Sequence, residues 1–108
     1  MRNPVINHIK TINTMELTNE ILEKNGFTCN HPERLWRKYH LSGKNPEFKI
    51  TAEQDYVPHT NVLGYSITCT RSNDHGVVKT SKVSVISTVE DLQDCINLCD
   101  IKVNLVVE

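Results

Sequence analysis

The chain predicts an α+β fold: a mostly antiparallel sheet of five or six strands with two helices packed on one face. Three observations lead there. Residues 17–27 and 87–101 carry helix boundary signals at both ends. Between them the spacing of apolar residues changes from about 3.6 to about 2, the period of half-buried strands. With 108 residues the chain is long enough for one hydrophobic core, so residues 1–108 are read as a single domain.

Residues 5–12 and 102–107 are expected to be terminal strands. In the first helix Thr18 is the N-cap, with Glu20 near the positive end of the helix dipole and Lys24 near the negative end. Leu17 and Leu22 take the two positions of a hydrophobic staple. Gly26 fits the left-handed position that ends a helix, and Phe27 then folds back on Leu22 in a Schellman-type contact. So short a helix does not hold alone in water, so its Ile21, Leu22 and Phe27 face must dock on another element.

Gly43, Asn45 and Pro46 break the chain between Leu41 and Glu47 and mark a hairpin. Phe48, Ile50 and Ala52 alternate in the segment that follows, as do Leu63, Tyr65, Ile67 and Cys69 further on. Residues 55–61, with Pro58 among them, form the loop between these strands. Residues 72–76 supply a second hairpin loop, leading into residues 77–87, rich in Val, Thr and Ser. The second helix opens with Ser87-Thr88-Val89-Glu90, a capping box, and Thr88 with Asp91 is the alternative cap. Val89, Leu92, Ile96 and Cys99 recur at helical spacing, with Cys95 beside them. Asp100 stands where glycine would end the helix best, a position Asp tolerates.

Hydrophobic residues make up 38% and charged residues 23% of the chain, a lean composition that predicts a thin core. Twelve Lys and Arg against thirteen Asp and Glu give a net charge of -1, so any contact with nucleic acid must be local. No apolar run approaches the roughly 18 residues of a membrane span, and the amino terminus has no signal-peptide stretch. The expectation is a cytoplasmic protein with no membrane partner. Cys29, Cys69, Cys95 and Cys99 are then reduced thiols, the last three acting as small buried hydrophobes.

Leu17, Thr18, Glu20, Ile21, Leu22, Lys24, Asn25, Gly26 and Phe27, followed by Val89, Leu92, Gln93 and Cys99, carry a family likeness. They resemble a group of small uncharacterised phage and prophage proteins with an N-terminal LTxEILxKNGF block and a C-terminal VxxLQ helix. The chain departs from that pattern at Glu16, where Pro is common, and at Asp100, where Gly is frequent. The resemblance implies a phage or mobile-element origin and a place in the host cytoplasm. It also implies, by analogy, an interaction module such as an anti-CRISPR-like inhibitor of a defence nuclease.

No Gly-rich phosphate loop, nucleophile elbow or carboxylate pair with a metal-binding partner occurs, so no catalytic residue, cofactor or enzyme activity is expected. Cys29 with His31, His40 or His59 is the sole start of a nucleophilic pair. Cys29-Asn30-His31 and the Cys95, Cys99 pair lack the matched second pair of a structural zinc site, so no metal is expected.

The candidate binding residues are Arg34, Trp36, Arg37, Lys38 and His40, in residues 34–41. In a strand, Arg34, Trp36, Lys38 and His40 share one face while Leu35, Tyr39 and Leu41 take the other. Trp and Arg anchor protein interfaces, and a ring among cations also suits single-stranded nucleic acid. The plain structural alternative is that Trp36 covers a thin core while the cations protect a sheet edge. Glu90, Asp91 and Asp94 form an acidic interface candidate that could face a basic channel, or else serve only the helix dipole and solubility. The expected function is a non-enzymatic binding protein that modulates a host protein or ribonucleoprotein. The alternative is a single-stranded RNA- or DNA-binding accessory protein, and oligomeric state is left open.

Overall fold

The computed structural model describes residues 15–44, 46–56 and 59–107. The strand expected at residues 5–12 lies outside them. The elements run α1 (Asn19–Lys24), β1 (Thr28–Cys29), β2 (Lys38–Gly43), β3 (Glu47–Tyr56), β4 (Leu63–Asn73), β5 (Gly76–Ile86) and α2 (Val89–Leu98). The strands form one five-stranded antiparallel sheet in the order β1-β2-β3-β4-β5, each paired with its neighbour in sequence.

The helix boundaries follow the local rules. Thr18 accepts the Ile21 N–H at 3.2 Å, capping α1. Gly26, at φ 91°, closes the other end: Phe27 N–H donates to the Leu22 carbonyl at 3.0 Å and Gly26 N–H to that of Glu23 at 3.1 Å. This is a complete Schellman motif. At α2 the cap is Thr88, which accepts the Asp91 N–H at 3.2 Å, so the Thr88 alternative prevails over Ser87. The same closure recurs at its end, with Ile101 N–H on the Ile96 carbonyl at 3.3 Å and Asp100 at φ 57°. Asp is held in that left-handed position from the sheet. Lys79 Nζ lies 2.7 Å from the Asp100 carboxylate, which draws its pKa below the ordinary value, and Arg71 Nε donates to the adjacent Cys99 carbonyl at 3.3 Å.

Strand register sorts the side chains into two sets, because residues opposite one another across a ladder share a face. Tyr39, Ala52, Ile67 and Val83 form one row, and Leu41, Ile50, Cys69 and Ser81 the next. These rows supply the sheet's part of the core, which Leu22, Phe27, Leu92, Cys95, Ile96 and Cys99 complete. Of the alternate residues, Lys38 opposes Glu53 and then Ser66, while His40 opposes Thr51, Thr68 and Lys82. That second set is polar throughout.

Two expectations are corrected. Residues 34–41 are not one strand: β2 begins only at Lys38. Arg34 N–H donates to the His31 carbonyl at 3.1 Å, closing a turn in which Pro32 takes the position that suits its fixed φ. Residues 102–107 pair with no strand among the described residues; two side-chain amides bond their backbone instead. Gln93 donates to the Val103 carbonyl and accepts from Leu105 N–H, both at 2.8 Å. Asn25 donates to the Val106 carbonyl at 2.8 Å and accepts from its N–H at 2.7 Å.

Leu92→Ala, at a side chain with 0% exposure, should lower unfolding free energy by about 2–5 kcal/mol in urea denaturation. Asn25→Ala and Gln93→Ala should each cost about 1–2 kcal/mol. They should also speed amide hydrogen exchange at Val106 and Leu105 respectively, while exchange in β3 and β4 falls only in step with global stability.

Candidate binding surface

The turn at Pro32 delivers Trp36 to the end of the sheet where β3 finishes. There the Trp36 ring meets Tyr56 edge to face, with centroids 5.1 Å apart and planes at 89°. Both rings stay open to solvent, Trp36 at 42% and Tyr56 at 50% exposure. Leu63 opposes Tyr56 across the β3–β4 ladder and is exposed, as are its chain neighbour Val62 and Leu35 beside Trp36. This end of the sheet thus presents an apolar, aromatic surface.

The residue after Trp36 is clamped. Arg37 N–H donates to the Gln54 side-chain oxygen at 2.8 Å, and Gln54 N–H returns to the Arg37 carbonyl at 3.0 Å. The Gln54 amide nitrogen donates to Asn19 at 3.0 Å, and the same Asn19 oxygen accepts the Tyr65 hydroxyl at 2.6 Å. Burial pushes the Tyr65 pKa up to about 12, so its hydroxyl stays a donor at neutral pH. Arg37 Nη1 donates to the Tyr39 hydroxyl at 3.1 Å, which in turn donates to Glu23 at 2.9 Å.

Four of the five sequence-predicted binding residues converge. Arg34, Trp36, Lys38 and His40 line one hollow of about 100 Å³, together with Cys29, Asn30 and His31. Arg37 does not join them, because its guanidinium is engaged by Tyr39. Trp36 is also the wall of a second, larger groove of about 320 Å³ whose other members are Glu53, Gln54, Asp55 and Ser66. A basic hollow and an acidic groove therefore share one tryptophan. Sequence reading missed Tyr56, Glu53 and Asp55; a tyrosine and two carboxylates at a strand end carry no motif, and the β2–β3 register, the Arg37–Gln54 bonds and the preceding turn bring them to Trp36.

Glu90, Asp91 and Asp94 are exposed on the first turns of α2, and none lines either hollow. Cys69 and Cys95 are buried with their sulfurs 3.9 Å apart. Burial and the neighbouring Cys95 push the Cys69 thiol up to about 12, which keeps it protonated. Among the described residues no group of three or more His, Cys, Asp or Glu is placed to hold a metal ion. No helix there is long and apolar enough to cross a membrane. Compared with known proteins, the chain matches no family model, no curated sequence and no solved structure.

His40 carries a specific cost. Its Nδ1 is buried with no hydrogen-bond partner among the described residues. Desolvation first, then the charges of Lys49 and Lys38, lower its pKa below 6.5. A histidine whose folded pKa is depressed takes up fewer protons folded than unfolded, so its contribution to stability is intact above about 6.5 and is lost as pH falls towards the folded value. Melting temperature should therefore drop as pH is lowered from 7 through this window. His40→Gln should flatten the drop, and an unchanged pH profile would show that His40 does not drive it.

Proposed function

We propose that this protein is a non-enzymatic binding module that engages a protein partner through the Trp36–Tyr56 end of its sheet. The observation that carries this reading is the open aromatic pair. Two rings in contact, each about half exposed and extended by Leu35, Val62 and Leu63, form the kind of patch that marks interfaces, with Arg34 and Lys38 on one side and Glu53 and Asp55 on the other. The reading takes both helices to cover the sheet face that bears Tyr39, Ile50 and Ile67. Trp36, Lys38 and His40 are then left on the uncovered side.

The mixed rim favours a protein over single-stranded nucleic acid. A polyanion threaded past Trp36 would pass Glu53 and Asp55, and the net charge of -1 offers no compensating long-range attraction. The biological form of the proposal is a phage or mobile-element protein in the host cytoplasm. It would modulate a host protein or ribonucleoprotein in the manner of an anti-CRISPR inhibitor, a part that rests on the resemblance of residues 17–27 and 89–99 alone.

Tagged protein incubated with host lysate should enrich one protein stoichiometrically. Trp36→Ala and Tyr56→Ala should each weaken that capture by about 30-fold, the scale of an interface hot spot, while far-UV circular dichroism stays unchanged. Capture indifferent to both substitutions would remove this surface from the interface. A salt-sensitive change in Trp36 fluorescence on adding single-stranded oligonucleotides at low salt would select the nucleic-acid reading instead.

A further inference from the structure

We infer that the groove between Trp36 and the Glu53, Asp55 pair is a subsite for a basic side chain, arginine or lysine, of the protein partner; the inference rests on the protein-binding reading above. Glu53 and Asp55 stand two residues apart on β3, so strand alternation points both to one side of the sheet. Trp36 lines the same groove as both carboxylates. The lining is completed by Gln54 and Ser66, and no cation among the described residues belongs to it.

The carboxylates are largely uncommitted. Among the described residues Asp55 accepts only its neighbour's N–H, from Tyr56 at 2.7 Å, through one oxygen. Among the described residues Glu53 has no side-chain hydrogen bond or ion pair. Lys38 is its cross-strand partner, yet Lys38 lines the hollow on the other side of Trp36 and forms no ion pair with it. Two acids with no counter-ion among the described residues, beside an open indole, complement an organic cation twice over. The carboxylates accept its N–H groups, and the ring attracts its charge.

The shape argues against a bare metal ion. The groove of about 320 Å³ has room for a whole guanidinium and its alkyl stem, whereas a divalent ion needs several oxygens closing around it at about 2–2.6 Å. No group of three ligating side chains exists among the described residues to do that. An anionic side chain would meet two carboxylates here and is directed instead to the hollow of Arg34, Lys38 and His40.

The test uses Nα-acetyl-arginine amide and Nα-acetyl-glutamate amide as probes of the full chain, read by the emission of Trp36, the chain's one tryptophan, and by the amide NMR signals of Glu53 and Asp55. The arginine probe should give a saturable, millimolar response that moves both signals. The double variant Glu53→Gln, Asp55→Asn, folded by circular dichroism, should weaken that response about tenfold or more. An equal response to the glutamate probe, or an unweakened response in the double variant, would overturn the subsite. Partner capture separates the two proposals. Capture lost in Trp36→Ala but fully retained in the double variant rejects the cation subsite and leaves the interface standing. Capture weakened by both supports the subsite as well.

Discussion

Two buried tyrosine hydroxyls impose the constraint on which the rest of this structure depends. Tyr39 and Tyr65 are fully enclosed in the core, and each brings a polar group that must find a partner there or cost on the order of 1–3 kcal/mol. Both partners come from α1: Glu23 takes the Tyr39 hydroxyl and Asn19 takes that of Tyr65. A helix of six residues could not persist alone in water. It is held because Leu22 fills the core while Asn19 and Glu23 satisfy the rings beneath it. Apolar burial supplies the adhesion, and the hydroxyls supply the register.

The same network reaches the candidate binding surface. Asn19 also accepts from Gln54, and Gln54 grips the backbone of Arg37 in both directions. Arg37 in turn donates to the Tyr39 hydroxyl, closing a circuit that ends one residue from Trp36. The exposed indole is therefore carried by a rigid support even though it lies on a loop. That matters for binding, because an aromatic held in place loses less conformational freedom when a partner covers it. Arg37, which looks in the sequence like one more cation of the cluster, is part of the support.

Much of the fold was legible locally. Thr18, Gly26, Thr88 and Asp100 each act where their chemistry suggests, and the alternation around Ile50 and Ile67 marks strands that form. Legibility failed where distant groups substitute for local ones. The segment 102–107 has the composition of a strand, but the amides of Gln93 and Asn25 satisfy its backbone from the side. Residues 34–41 have the alternation of a strand, but the turn at Pro32 and the Gln54 clamp delay pairing until Lys38. In both cases a glutamine or asparagine far along the chain does what a neighbouring strand would have done, and no periodicity announces it.

The candidate site divides the same way. Sequence by itself put Arg34, Trp36, Lys38 and His40 within a few residues of one another, while their lining of one hollow depends on the turn at Pro32 and the Gln54 clamp, since Arg34 and Trp36 precede the strand. It determined equally which helix ends would close and most of the core, though Leu63, in alternation with the buried Tyr65, Ile67 and Cys69, is exposed. Only the tertiary structure decided that Trp36 would stand against Tyr56 with Glu53 and Asp55 beside it, giving the surface charges of both signs. The reason is that those contacts depend on the register of β3 against its neighbours and on hydroxyl partners supplied from α1, and neither is encoded within reach of the residues themselves.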